Sequence, residues 1–382
     1  MPAISRRLFL GSSAAATGAA VASGVPLAAV ASAGAAKAPA YGPAAGVAKL
    51  NANENPYGPS PGAIKEALEA TKLGAYYVGA SVPMLKSMIA ERHGVTPEHI
   101  ALSSGSSGVL TYIATAAGET GNILGPDLFW DTTARMGTRH GGEVVRLPKD
   151  DGLEIDLDAM FEAITDDVSL VQITNPNNPT GLSLDGEALR AFCKKASRKV
   201  TVLVDEAYNE LTEDPEYTSM VDLVREGYDV IVARTFSKIY GMAGMRVGYA
   251  IASPATTESM ILSHGLGDYA MNQAGVAAAV ASYNDLGFLE MSKARIMEAR
   301  DMVMKGLDGV GLSALPSSTN FMFVNLGDLD AEVFRQKMAD RNVLIRGIYR
   351  DYTHWSRVSM GRLEHVQMYV DALAPVLEEM SA

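Results

Sequence analysis

Seven short apolar runs recur between His99 and Ala252: "HIALS", "NILG", "EVVRL", "VSLVQIT", "VTVLV", "DVIVAR" and "RVGYAIA". They are rich in Val, Ile and Leu, as strands covered on both faces are. Between them, "VLTYIATAAG", "DLDAMFEAI" and "DGEALRAFCKKAS" read as helices, and a further helix is expected through "DTTARMGTRHGG" (131–142). Strands joined by helical crossovers pair in parallel. The expected fold class is therefore α/β, a mostly parallel, doubly wound sheet with helices on both faces. Such sheets bind ligands at the carboxyl ends of their strands, so the polar residues after each run carry the functional question.

Beyond about Ser282 the pattern changes. "FLEMSKARIMEARDMVMKGL" reads as one long helix, followed by "NFMFVNL", "AEVFRQKMADR", "VLIRG", "SRVSM" and a last helix from Leu363. This predicts a smaller α+β domain over 283–382, a large domain over 76–282, and a segment 50–75 that packs with the small one. The N-terminus is of another kind. "SRRLFLGSSAAATGAAVASGVPLAAVASAG" places Arg6 and Arg7 before a weakly apolar Ala/Gly/Ser stretch ending in "ASA". That is the form of a twin-arginine signal peptide, expected over 1–33 with a linker over 34–49. It implies passage through the twin-arginine export machinery, to the periplasm or otherwise out of the cytoplasm. The stretch is too polar, and too broken by Gly and Pro, to remain as a membrane span.

The net charge of −12 over 382 residues argues against nucleic acid as a partner. Cys193 is the single cysteine, in a helical run, and reads as a small core residue. The six histidines show no metal spacing, so no metal site is expected.

Four strand ends carry unusual residues. "SGSSG" follows "HIALS", and its Gly105-Ser106-Ser107-Gly108 suits a phosphate cradle at a helix start, although glycine and serine also simply begin helices. "NPNNPTG" (175–181) follows "VSLVQIT" and by spacing alone is either a turn or a site. "DEAY" puts Asp205 directly after a buried strand, as a helix cap or as the partner of a buried cation. "TFSK" brings Lys238, then Arg246; a lone lysine is most often a surface charge, but one held in a concave site is desolvated and nucleophilic. Acid, amide, phenol, amine, guanidinium and phosphate cradle at one sheet edge match a single ligand, pyridoxal 5'-phosphate. Its aldehyde takes an amine, its pyridine nitrogen an acid, and its phosphate a cationic cradle.

With "NANENPYGPSP" and "SKIYGMAGMRVGY", these motifs resemble, in order, those of the fold-type I PLP-dependent aminotransferases, in the branch of histidinol-phosphate aminotransferases. The similarity runs from about Leu50 to the C-terminus. It implies that Lys238 forms the internal aldimine and shuttles the proton, and that Asp205 keeps the pyridine nitrogen protonated. It implies that Asn178 and Tyr208 bond the ring's phenolate oxygen, and that Ser106, Ser107, Ser237 and Arg246 hold the phosphate. Trp130 aligns with the aromatic that stacks on the ring, with Phe129 as competitor. Tyr77 aligns with a tyrosine that reaches the partner subunit's cofactor phosphate, which implies a homodimer. Arg357 aligns with the clamp for the substrate anion and Arg346 with a second substrate-side arginine; Tyr57 and Asn320 would line the same pocket.

The chain departs from the branch at Tyr76-Tyr77-Val78, where Arg-Tyr-Pro is usual, at an acid missing from the "SSGSS" loop, and at Thr133. The expected activity is transfer of an amino group between an amino acid and a 2-oxo acid. Decarboxylation, elimination or cyclisation on the same scaffold, and a non-catalytic PLP-fold binding protein, are the alternatives. The glycines Gly241, Gly244 and Gly248 are expected to allow close packing in the loop that returns Arg246 to the phosphate.

Overall fold

The computed structural model describes residues 41–148, 153–264 and 270–381, with only the backbone of 262–264. The expected signal peptide, with Arg6 and Arg7, and residues 34–40 of the expected linker lie outside the described residues. Gly46–Ala382 make up one compact unit.

The chain enters through β1 (Ala48–Lys49) and then builds β2 (Ile100–Ser103), β3 (Asn122–Gly125), β4 (Val144–Arg146), β5 (Val168–Thr174), β6 (Thr201–Asp205), β7 (Val230–Thr235) and β8 (Gly248–Ile251). β2 to β8 form one seven-stranded sheet in the order 2-8-7-6-5-3-4. β8 runs antiparallel to both β2 and β7, and the other pairs are parallel. All seven strands coincide with the seven apolar runs. The reason is visible in the packing: Val202 and Val204 of β6 enter one apolar layer while Leu203 enters the other. β7 repeats this, with Val230 and Val232 on one side and Ile231 and Ala233 on the other. A strand with both faces dry has no polar alternate residues to show, hence the continuous runs.

The helix Ser106–Gly118 lies in one layer and the helix Gly186–Ala196 in the other. Cys193 is fully buried there, and burial pushes its thiol well above the ordinary range, so it behaves as a small core residue. The expected helix over 131–142 is instead a 3₁₀ stretch, Ala134–His140. Gly137, Thr133 and Thr138 are poor α-helix formers, and Thr138 Oγ1 donates to the Arg135 carbonyl at 2.8 Å.

The C-terminal part supplies a second, three-stranded antiparallel sheet of β9 (Ser313–Ala314), β10 (Phe321–Asn325) and β12 (Trp355–Ser359), in the order 12-10-9. β11 (Val343–Leu344) pairs in parallel with β1. The long helix Leu286–Asp308 and the last helix, Leu363–Ser381, pack on each other. The helix Pro61–Lys72 packs on the helix Gln273–Tyr283. No described helix is long and apolar enough to cross a membrane.

On the side of the sheet away from Asp205, Arg234 and Glu206 form a buried pair at 2.6 Å. Ser219 Oγ and the Met220 N–H donate to the same carboxylate at 3.0 and 2.7 Å. Removing one member of such a pair strands the other charge without water. Arg234→Met is expected to destabilise the protein by about 3–5 kcal/mol in urea unfolding, and Glu206→Leu in the same chain to recover much of that loss.

Candidate active site

Parallel register sets the centre. Thr174 on β5 pairs with Asp205 on β6, and Asp205 with Ala233 on β7, so three strands end together and their following loops share one edge. Successive side chains of a strand point to opposite faces. Asp205 and Glu206 therefore part company: Glu206 joins Arg234, while Asp205 turns to the edge that Lys238 occupies.

Asp205 is buried, and its Oδ1 accepts the Ala207 N–H at 3.2 Å. Burial pushes its carboxyl up to about 7, against the opposing pull of that N–H and of Lys238. Lys238 shows the reverse. Burial, then the Arg357 guanidinium, push its amine down to about 8, opposed by Asp205 and Glu54. Its Nζ donates to the Asn53 carbonyl at 3.2 Å and lies 5.4 Å from the centre of the Tyr208 ring. The lysine of "TFSK" is thus desolvated rather than a surface charge.

Tyr208 is buried edge-on against Phe321, 5.2 Å between ring centres. Its oxygen accepts from Asn178 Nδ2 at 3.3 Å and from Asn53 Nδ2 at 3.1 Å. Asn178 Oδ1 in turn accepts from Arg357 Nη1 at 2.9 Å. The structure thereby links the "NPNNPTG" loop, "DEAY" and β12 through one chain of bonds. Burial pushes the Tyr208 phenol up to about 12, so it stays protonated.

The helix Ser106–Gly118 starts beside them. Its N-cap is Gly105, at φ +74°, which has no side chain to cap with; Ser103 Oγ accepts the Val109 N–H at 3.2 Å. Ser106 and Ser107 are half-buried there. Arg246, itself in the left-handed region at φ +55°, lays its guanidinium across Gly105, where any Cβ would collide with it. Its Nη1 donates to the Ala243 carbonyl at 3.0 Å and to Ser237 Oγ at 3.5 Å, and Nη2 to the Ser104 carbonyl at 3.4 Å. Ser237 Oγ also accepts from Thr235 Oγ1 at 2.9 Å. A Cβ on Gly248 would overlap the Ser106 N atom, and one on Gly241, at φ +66°, would overlap Gly58. Gly244 meets nothing within 4 Å, so the expectation of close packing fails for it: it sits exposed at the loop tip.

Arg357 is buried, its Nη2 donates to the Asn51 carbonyl at 3.1 Å, and its Nε has no partner among the described residues. Arg346 is tied to it through paired main-chain bonds of 2.9 Å and stands 5.3 Å from the Tyr349 ring centre. Asn320 donates to the Asn53 carbonyl at 2.9 Å, with its Oδ1 unpartnered among the described residues. Tyr57 points elsewhere: its oxygen accepts the Leu363 N–H at 3.2 Å. Trp130 is half-buried against the layer containing Val109, whereas Phe129 is buried with its ring under the Arg146 guanidinium at 4.9 Å. Of these two aromatics only Trp130 is partly exposed. Tyr77 is 80% exposed.

Three groups of the cluster escape sequence reading: Asn53, Asn51 and Tyr349. Asn53 and Asn51 lie in "NANENPYGPSP", whose Asn/Pro content signals only a turn. Among the described residues no group of histidine, cysteine and acids could hold a metal ion.

The aminotransferase class I and II family matches residues 45–373 of this chain. The histidinol-phosphate aminotransferase of Brevibacillus brevis is 34% identical over 338 residues, which cover 87% of this chain and 90% of that protein. The histidinol-phosphate aminotransferase 1 of Cupriavidus pinatubonensis is 33% identical over 337 residues, with 87% and 89% covered. The crystal structure of histidinol-phosphate aminotransferase from Sinorhizobium meliloti in complex with pyridoxal-5'-phosphate superposes with a TM-score of 0.80 at 29% identity, covering 87% of this chain and 91% of that one. An aspartate aminotransferase of Thermus thermophilus shares the fold, with a TM-score of 0.76 at 21% identity.

A carboxyl whose folded pKa is raised holds a proton that the unfolded chain has released, so its contribution to stability falls as pH rises from about 4 to about 7. In cofactor-free protein, Asp205→Asn is therefore expected to be the more stable form at pH 8, with the advantage fading toward pH 4. Urea unfolding at the two pH values measures it.

Proposed function

The chain belongs to the class I and II aminotransferase family and is a pyridoxal-phosphate-dependent transaminase, and on that premise we propose how its residues divide the work. The observation that carries the assignment is the pair Asp205 and Lys238: an acid and an amine, both stripped of water, on neighbouring strand ends. Neither donates to the other; Lys238 is bonded to a carbonyl instead. An acid in that state gains from a cation placed beside it, and an amine in that state is a nucleophile near neutral pH.

The residues present fit the cofactor. The glycine-capped start of Ser106–Gly118, Ser106, Ser107, Ser237 and the Arg246 guanidinium suit a phosphate dianion. Asp205 suits the pyridine nitrogen. Tyr208 and Asn178 suit the ring oxygen, and the half-buried Trp130 suits the ring face. The bound cofactor supplies an electron sink for the substrate's α-carbon. Lys238 holds and moves the proton at that carbon as general base and acid. The unpartnered Nε of Arg357 supports that arginine as the clamp for a substrate anion, with Arg346 and Asn320 beside it. Amino acid and 2-oxo acid are the substrate classes. The relatives' names point to an amine of the histidinol-phosphate kind as one donor to include. Tyr57, bonded to Leu363, would line the pocket only through its ring.

We further infer a homodimer in which Tyr77 serves the partner subunit's site; Leu73, Tyr76 and Tyr77, all more than half exposed, support that surface. The leader with Arg6 and Arg7 supports export through the twin-arginine machinery to the periplasm, a route that suits a protein loaded and folded beforehand.

Purified protein loaded with pyridoxal phosphate is expected to show a visible absorption band that amino donors bleach. Lys238→Ala abolishes the covalent band; an unaltered band in that variant rejects the assignment. A panel of amino acids, histidinol phosphate among them, with 2-oxo acids then identifies donor and acceptor. For export, cells carrying Arg6→Lys with Arg7→Lys are expected to retain the protein in the cytoplasm, and equal periplasmic amounts in both strains reject the signal.

A further inference from the structure

Asn53 sits where three distant stretches of chain converge. It is 2% exposed, with φ at +54°, a region that asparagine tolerates better than most non-glycine residues. Its main-chain N–H donates to Ser359 Oγ at 2.9 Å, and Ser359 Oγ donates back to Asn53 Oδ1 at 2.6 Å. That small ring fixes which way the amide faces: oxygen toward Ser359, nitrogen toward Tyr208. Nδ2 then donates to Tyr208 at 3.1 Å. The carbonyl of the same residue accepts Lys238 Nζ at 3.2 Å and Asn320 Nδ2 at 2.9 Å.

The second amide on Tyr208 belongs to Asn178, and its facing is fixed independently, because its oxygen is held by Arg357. A phenol oxygen offers two lone pairs and one proton. Both lone pairs are taken by amide donors of fixed orientation. The hydroxyl is left with one role, that of a donor to a third group.

We propose that Asn53 is a positioning residue for amino transfer with two separable actions: its side-chain amide commits the Tyr208 hydroxyl to donating into the site, and its carbonyl holds the Lys238 amine whenever that amine is free. The inference rests on the assignment of Lys238 as the reacting amine. Facing Lys238 are Asp205 from β6, Tyr208 from the turn after it, Arg357 from β12, Glu54 from the N-terminal segment and Arg246 from the loop before β8. Asn53 is neutral and alters none of these charges. Any effect it has on proton equilibria runs through its hydrogen bonds.

Asn53→Gly separates the two actions, because glycine keeps the left-handed backbone and the carbonyl and deletes only the amide. In the full chain loaded with pyridoxal phosphate, the visible band is titrated with pH. A hydroxyl donating to the ring oxygen favours that oxygen's negative charge and keeps the midpoint low. Asn53→Gly is expected to raise the midpoint by about one pH unit, a tenfold change in proton affinity. Tyr208→Phe is expected to raise it at least as far, and the double variant to match Tyr208→Phe alone, since the amide acts through the hydroxyl. Ser359→Ala, which frees the amide oxygen but keeps Asn53, is expected to shift the midpoint in the same direction by less, and covers the case in which the glycine variant fails to fold. An unchanged midpoint in both Asn53→Gly and Ser359→Ala, or a double variant whose shift is the full sum, overturns the first action.

The second action is read in cofactor-free protein from the rate of Lys238 trinitrophenylation against pH, resolved by peptide mass. Asn53→Gly is expected to keep the wild-type midpoint. Asn53→Ala, strained at this φ, displaces the carbonyl; the ammonium loses its acceptor and the midpoint falls. Equal midpoints in the two variants overturn the carbonyl's part. A persistent covalent band in Lys238→Ala is a different failure and removes the underlying assignment instead.

Discussion

Desolvation of Asp205 and Lys238 is the constraint to which the surrounding groups answer. Burial drives both toward neutrality, the acid up and the amine down, so each is held close to the pH at which its charge changes. Everything polar nearby serves to keep that state ordered. Arg357 adds positive potential near the amine without donating to Asp205, since its guanidinium bonds go to Asn178 and to the Asn51 carbonyl. Tyr208 stays protonated and receives two amides. Arg246 is braced by three neighbours at the helix start rather than by an acid, which leaves its charge available.

The sheet works as a divider between two kinds of polar interior. At one edge Asp205 and Lys238 are buried with no charged hydrogen-bond partner among the described residues, Asp205 on the Ala207 N–H and Lys238 on the Asn53 carbonyl. One residue later, Glu206 is fully satisfied by Arg234, Ser219 and Met220. The satisfied cluster anchors the loop after β6 from beneath, so the unsatisfied one above it stays put. Two adjacent acids in "DEAY" have opposite electrostatic fates because a strand alternates.

The alternation that defines the fold is plain in the sequence because the strands of the main sheet, the half-buried edge strand β4 apart, are dry on both sides, and dryness writes itself as continuous Val, Ile and Leu. The 3₁₀ stretch at Ala134–His140 is misread because its residues mix helical spacing with weak helix formers. Within the site, Asp205, Lys238, Tyr208, Asn178 and Arg246 stand out by chemistry at strand ends. Asn51, Asn53 and Asn55 do not. Each belongs to a segment with no periodicity, and each bonds to residues distant in the chain: Asn51 to Arg357, Asn53 to Tyr208 and Ser359, and Asn55 to Ile239 and Ser292. Their roles are created by tertiary contact alone.

Asn53 and Ser359 are 306 positions apart, yet one closes the bonding of the other. Long-range closure of this kind comes late in folding, after the local helices and most strand pairs have formed. Lys238 and Asp205 are brought together by neighbouring strands, β6 and β7, that are made well before Ser359. A nascent chain therefore carries its reactive amine before it carries the clasp that steadies it, and the clasp shuts only when the last strand has been made.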